Sequence, residues 1–177
     1  MIKDLEFINF LTTSIFVDFL VILIFRIINR IKKNDSAINS WYTNLRWTAV
    51  ILDVLSFMIG FYISYFIYKF LIENNYINNK YEFIKYLAIV LLVQIIHDFC
   101  FYFFVIKPFP HGKNDVMDEF KSYAEANGIN AVIGDSLMYI IGTPLLYISL
   151  KKMNTNTNIF TSIISLYLIG YLIYQKK

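Results

Sequence analysis

"WTAVILDVLSFMIGFYISYFIYKFL", residues 47–71, decides the fold class. Only Asp53 and Lys69 interrupt this apolar run, which exceeds the roughly 20 residues that cross a bilayer as a helix. A soluble helix buries one stripe and has no use for apolar residues on every side. "IKYLAIVLLVQIIHDFCFYFFVI", residues 84–106, gives the same signal. Working outward, the same rule marks residues 7–28, 129–150 and 158–174, and sets the bounds of the span quoted above, the second in chain order, at 47–72. Composition agrees: 58% of the chain is hydrophobic and 16% charged, against about 45–50% and about 25% in globular chains. The expectation is an all-α polytopic transmembrane bundle of five spans, with residues 1–177 forming a single integral membrane domain. Its first partner is the lipid bilayer. A transmembrane β-barrel would alternate over about ten residues per strand, whereas these runs are continuous.

The first span exceeds the roughly 7–15 residues of a secretory signal core and is followed by Arg26, Arg30, Lys32 and Lys33, so it reads as a retained span. The single cysteine, Cys100, can form no intramolecular disulfide. Lysines and arginines concentrate on the cytoplasmic side of membrane proteins. With the N-terminus outside, ten of them fall inside and six outside, which favours N-out and C-in. The triplet Asn34-Asp35-Ser36 fits a glycosylation site but falls on the cytoplasmic side of that topology.

One connection is long. In "KPFPHGKNDVMDEFKSYAEANG", residues 107–128, Pro108 and Pro110 stop the preceding helix. From Asn114 to Asn127 the pattern is helical. Val116, Met117, Phe120, Tyr123 and Ala124 form an apolar stripe, opposite Asp115, Asp118, Glu119, Lys121, Ser122 and Glu125. Asn114 is the expected N-cap and Gly128 the stop. This short amphipathic helix is expected to pack on the spans, since its acidic face does not suit anionic lipid. His111 lies in the Pro-rich turn, with Asp115 four residues on. Pro108, Pro110, His111, Asp115, Phe120 and Tyr123 are the candidate partner-binding residues, with a capsid or another membrane protein as the partner class.

Ionisable residues inside spans are expensive and often mark function. Here they are Asp18, Asp53, His97, Asp98 and Asp135, with Gln94 and Ser136 beside them. At about 1.5 Å per residue, Asp53, Asp98 and Asp135 fall in one layer roughly 9–12 Å below the inner interface. Asp18 lies nearer the midplane, with Arg26 two turns on as a candidate charge partner. Carboxylates crowded into a low-dielectric layer cannot all carry charge at once, and His97 adds an imidazole able to exchange a proton. A proton relay, cation pathway or substrate site could be built from these parts; so could plain helix-joining hydrogen bonds. No HxxxH, HExxH or paired-Cys spacing points to a metal, and no Walker or dinucleotide pattern to a cofactor. A net charge of +3 dispersed over loops does not suggest nucleic acid.

"AVIGDSL", residues 131–137, resembles the motif of the GDSL serine esterases. In that family a histidine follows the serine, in a D-x-x-H block. Here His97 and His111 both precede Ser136, and a serine without a positioned base is a poor nucleophile. No catalytic residue is assigned.

Ile, Asn, Lys, Tyr and Phe supply 89 of the 177 residues, which implies an AT-rich gene. The segment "HDFCFYFFVIKPFPHGKNDVMDEFKSYAEANGINAVIGDSLMYI", residues 97–140, resembles uncharacterised polytopic membrane proteins of giant DNA viruses. That resemblance implies a virion inner membrane or an infected-host membrane, and no activity. The leading expectation is therefore a membrane-scaffolding component. The alternative is a small transporter or ion- or proton-conducting protein, oligomeric if it is to enclose a pathway.

Overall fold

In a computed structural model, described over residues 5–32 and 37–175, the chain is helical with no strand among the described residues. The helices are α1 (Phe7–Lys32), α2 (Ala37–Leu45), α3 (Trp47–Glu73), α4 (Glu82–Phe101, closed by a π turn at Tyr102–Ile106), α5 (Asp115–Asn127), α6 (Ile129–Lys152) and α7 (Thr155–Ile173). Five of them, α1, α3, α4, α6 and α7, are long and apolar enough to cross a membrane. Their outward rows, such as Ile51, Leu55, Ile59, Ile63 and Phe66 on α3, are exposed large hydrophobics that suit lipid. This is a multi-span membrane protein. The glycosylation triplet, and Lys3, Lys33, Lys176 and Lys177 of the charge comparison, lie outside the described residues.

Three features depart from the sequence reading. The first connection contains α2, whose Trp41 and Tyr42 are buried; nine residues with two aromatics carry too short a period to declare a helix. Helix α7 starts at Thr155 because the Asn154 side chain accepts from the Thr157 amide at 2.8 Å, a cap hidden in a polar "NTNTN" run. The end of α4 widens into a π turn, with Lys107 N–H donating to Tyr102 C=O at 2.8 Å. Pro108 follows at once and has no N–H to continue the ladder.

The packing contains a duplication. "RWTAVILDVLSFMIG", residues 46–60, and "GINAVIGDSLMYIIG", residues 128–142, align without a gap and share Ala, Val, Ile, Asp, Leu, Ile and Gly at matching places. Asp53 matches Asp135, Phe57 matches Tyr139 and Gly60 matches Gly142. One span earlier, "IFVDF" at 15–19 matches "IIHDF" at 95–99, pairing Asp18 with Asp98. Each copy is a span, a short amphipathic helix and a second span: α1-α2-α3 and α4-α5-α6. The joints agree too, Arg46 at φ 51°, ψ −122° and Gly128 at φ 52°, ψ −130°. Both use a backbone region natural only to glycine, so Arg46 is strained there.

The two copies pack as pseudo-two-fold mates. Helix α1 packs on α3 as α4 packs on α6, and α3 on α4 as α6 on α1, with α2 against α5 on the axis. At the α3–α6 crossing the Phe57 and Tyr139 rings stack at 4.1 Å, and Tyr139 O–H donates to the Phe57 carbonyl at 3.2 Å. Each ring occupies the notch left by the other copy's glycine. A Cβ on Gly60 would lie 2.8 Å from Tyr139 Cζ, and one on Gly142 would lie 2.8 Å from Phe57 Cζ.

Helix α7 has no counterpart and packs along α1. A buried polar seam joins them: Asn9 Nδ2 donates to Ser149 Oγ at 3.0 Å, Ser149 Oγ donates to Asn158 Oδ1 at 2.7 Å, and Thr12 Oγ1 lies 3.0 Å from Ser162 Oγ. Such bonds fix helix register within a membrane, at about 0.6 kcal/mol each.

The glycine notches give the first expected outcome. Gly60→Ala destabilises the bundle by about 1–3 kcal/mol through overpacking. Gly134→Ala, whose Cβ would meet nothing within 4 Å, leaves stability unchanged or slightly higher. Denaturant or thermal unfolding in micelles checks both.

Candidate functional site

On the side where α2 and α5 lie, the four repeat spans part around a chamber of about 780 Å³. Asp53 from α3, Gln94, His97 and Asp98 from α4, and Asp135 from α6 all line it, and α5 covers it with Met117, Phe120, Tyr123 and Ala124. Most of the wall is apolar. Asp53 and Asp135 sit at matching places, two turns into their spans, and so face each other across the pseudo-axis. Among the described residues no three His, Cys, Asp or Glu side chains converge closely enough to hold one metal ion. The carboxylates surround the chamber instead of meeting at a point.

In the first copy each acid receives one donor from α2. Tyr42 O–H donates to Asp18 Oδ1 at 2.6 Å, and Trp41 Nε1–H donates to Asp53 Oδ2 at 3.0 Å. Burial, then the neighbouring Asp53 and Asp18 carboxylates, hold the Tyr42 phenol well above its usual range, so it remains a donor. In the second copy the places of Trp41 and Tyr42 are taken by Tyr123 and Ala124. Alanine has no donor and fills little space. Asp98 Oδ1 accepts from Gln94 Nε2 of its own helix at 2.7 Å, with His97 Nδ1 at 3.4 Å. Among the described residues Asp135 makes no hydrogen bond or ion pair. Burial, then Asp135, Asp53 and Asp98, push the Tyr123 phenol up, keeping a neutral O–H beside these acids. Asp18 Oδ2 and Asp98 Oδ2 are both buried with no hydrogen-bond partner.

Other sequence candidates lie apart. Asp18 is fully buried beneath Tyr42 and does not line the chamber. Ser136 lines a shallow apolar groove between α4 and α6 with Ile95, Phe99 and Leu137, not the chamber. Its helical position, one residue past Asp135, turns it about 100° away. Arg26 donates to the Ile173 carbonyl at 3.4 Å, anchoring the end of α7, while the hydrogen bond on Asp18 comes from Tyr42. His111 Nδ1 lies 2.9 Å from Asp118 Oδ1, and Asp118 also accepts from Gly112 N–H; it is Asp118, not Asp115, that meets the histidine. One helical turn beyond Asp115, Asp118 points back over the turn. Pro108, Pro110, His111 and Asp115 are exposed.

The stripe of α5 packs inward. Phe120 lies 4.7 Å and Tyr123 6.2 Å from the Trp41 ring, and Phe101 meets Phe120 edge-on at 5.4 Å. Asn44 Nδ2 donates to Glu119 Oε1 at 2.7 Å, and Lys121 Nζ donates to the Phe109 carbonyl. Together α2 and α5 form an aromatic roof over the acids.

Trp41, Tyr42, Ala124 and Tyr139 belong to the site and escape a search for intramembrane charge. The repeated A-V-I-x-D would have found them. Compared with family models, curated proteins and solved structures, the chain matches none.

The asymmetry has a measurable consequence. Tyr42→Phe removes a short bond to a buried carboxyl and lowers stability by about 1–3 kcal/mol. Ser136→Ala, which breaks no hydrogen bond, stays within about 0.5 kcal/mol of the parent chain. Thermal unfolding of the purified protein checks the pair.

Proposed function

We propose that this membrane protein binds and transports a cation, with Asp98 and Asp135 as the acceptor groups and α5 as the cover of the site. The observation that carries this reading is the chamber itself. Three carboxylates from three spans border one cavity, and the second copy supplies Asp135 with no donor. Carboxylates are placed in a membrane interior at a cost of about 2.5–3.5 kcal/mol each on insertion scales, and a bound cation offsets that cost directly. Parallel repeats related by an axis along the membrane normal, with a site at their interface, are a recurrent plan of membrane carriers. One chain supplies the whole lining of the chamber, so the reading does not require a homo-oligomer.

The resemblance of residues 97–140 to membrane proteins of giant DNA viruses would set this activity in a virion inner membrane or an infected-host membrane, with the N-terminus outside. A scaffolding role for residues 107–128 is the second reading. It is supported by the exposed Pro108, Pro110, His111 and Asp115, which face away from the chamber and are open to a capsid or membrane-protein partner.

Proteoliposomes test the first reading. Uptake of methylammonium, or proton movement followed with an internal dye, is expected for the parent chain. Asp98→Asn and Asp135→Asn each lower the rate by about tenfold or more, the scale of an unpaired charge contact, with folding intact by circular dichroism. Absence of both fluxes, and of methylammonium binding, in the parent chain would sink the proposal.

A further inference from the structure

The duplicated halves differ at one decisive place. In the first, the Tyr42 side chain projects from α2, fills the space beside Asp18 and donates to it at 2.6 Å. In the second, the matching residue on α5 is Ala124, and the space beside Asp98 is part of the chamber. Likewise Trp41 donates to Asp53 at 3.0 Å, whereas Tyr123, in the matching place, makes no hydrogen bond to Asp135. Duplicated helices keep their backbone frame while side chains diverge, so the first half shows what fits the second: an apolar body ending in a hydrogen-bond donor. Three bordering carboxylates favour a donor that carries positive charge. The acids do not converge as metal ligands, so an extended molecule suits the site better than a bare ion.

The chamber also adjoins the bilayer-facing surface. Phe99, Ile129 and Val132 line both the chamber and the apolar groove between α4 and α6. The groove beyond them is walled by Ile95, Ile133, Leu137 and Ile140. Only the side chains of Phe99, Ile129 and Val132, common to both walls, stand between a chain lying in that groove and the acids.

We propose that the second-copy side of the chamber binds a lipophilic organic ammonium ion, its head beside Asp98 and Asp135 where Tyr42 stands in the first copy, and its chain along the α4–α6 groove. This rests on the cation-site reading above and names its ligand class. The ammonium donates N–H bonds to Asp98 and Asp135, and the roof of Phe120 and Tyr123 shields it from water. Entry is lateral, between α4 and α6, which places the ligand's source in the membrane.

Binding of dodecylammonium, dodecanol and ethylammonium to the full chain in phosphatidylcholine nanodiscs tests this. Trp47→Phe leaves Trp41, in the chamber wall, as the reporting fluorophore. Dodecylammonium is expected to bind at least about tenfold more tightly than either other probe, equivalent to about 1.4 kcal/mol. Ala124→Tyr, which restores the first-copy side chain, is expected to abolish that binding while keeping or raising the unfolding temperature. If Ala124→Tyr does not fold, Ala124→Val, a smaller intrusion, is expected to weaken dodecylammonium more than ethylammonium. Dodecylammonium binding no tighter than dodecanol, or unchanged by filling position 124, overturns the inference. Equal binding of ethylammonium and dodecylammonium, both lost in Asp135→Asn, overturns the lipophilic class and leaves the cation site standing. All three probes binding as well to Asp98→Asn and Asp135→Asn as to the parent chain removes the cation site as well.

Discussion

The α3–α6 crossing sets the geometry of everything around it. Phe57 and Tyr139 can stack at 4.1 Å only because the glycine of each opposing copy leaves the ring a place to sit. Within a bilayer, apolar burial does not drive helices together, because lipid tails are as apolar as the side chains. Close van der Waals fit and a few hydrogen bonds must do it. The Tyr139 hydroxyl on the Phe57 carbonyl supplies one such bond, and the notched rings supply the fit. One helical turn before these two rings, Asp53 and Asp135 line the chamber. The chamber is thus a consequence of how the two copies meet.

The divergence between copies then decides which acids are structural and which are open. Asp18 and Asp53 receive donors from α2, so the first half is closed by its own side chains. Asp98 and Asp135 receive none from α5. A duplicated helical unit need not keep both halves competent; one may stiffen the assembly while the other serves. The strained Arg46 joint fits the closed half, because α2 is tied down by Tyr42 and Trp41 and can hold an unfavourable backbone in place. The same joint in the open half carries Gly128, which adopts that backbone without strain.

Much of this was legible from sequence, for definite reasons. Span positions follow from uninterrupted apolar length, and the start of α5 from Asn114, whose side chain accepts from Val116 and Met117. The depth of Asp53, Asp98 and Asp135 follows from helical rise alone. What rise cannot give is azimuth. Ser136 shares Asp135's depth but is turned about 100° from it, onto the α4–α6 groove, and Asp18 shares the acid's chemistry yet lies under a tyrosine on a helix too short to announce itself. Arg26 reads as a carboxylate partner by spacing; its bond to the Ile173 carbonyl at the end of α7 depends on a packing that no local pattern encodes. The duplication was present in the letters throughout, obscured because the gap-free match covers only residues 46–60 and 128–142, with a five-residue echo one span earlier.

The substitution of tyrosine by alanine across the copies also bears on how such a site remains stable when empty. A carboxyl without a donor in a low-dielectric wall is costly, and Asp98 limits that cost by taking Gln94 from its own helix, four residues away. That bond is local and can yield without unpacking any helix–helix contact. Among the described residues Asp135 has no such substitute, so it is the group with most to gain from an incoming donor. Roofed by Phe120 and Tyr123 and separated from the lipid-facing groove by Phe99, Ile129 and Val132, it combines a polar need with an apolar approach. A ligand that answers only one of the two, a small hydrated cation or a neutral chain, leaves the other unmet.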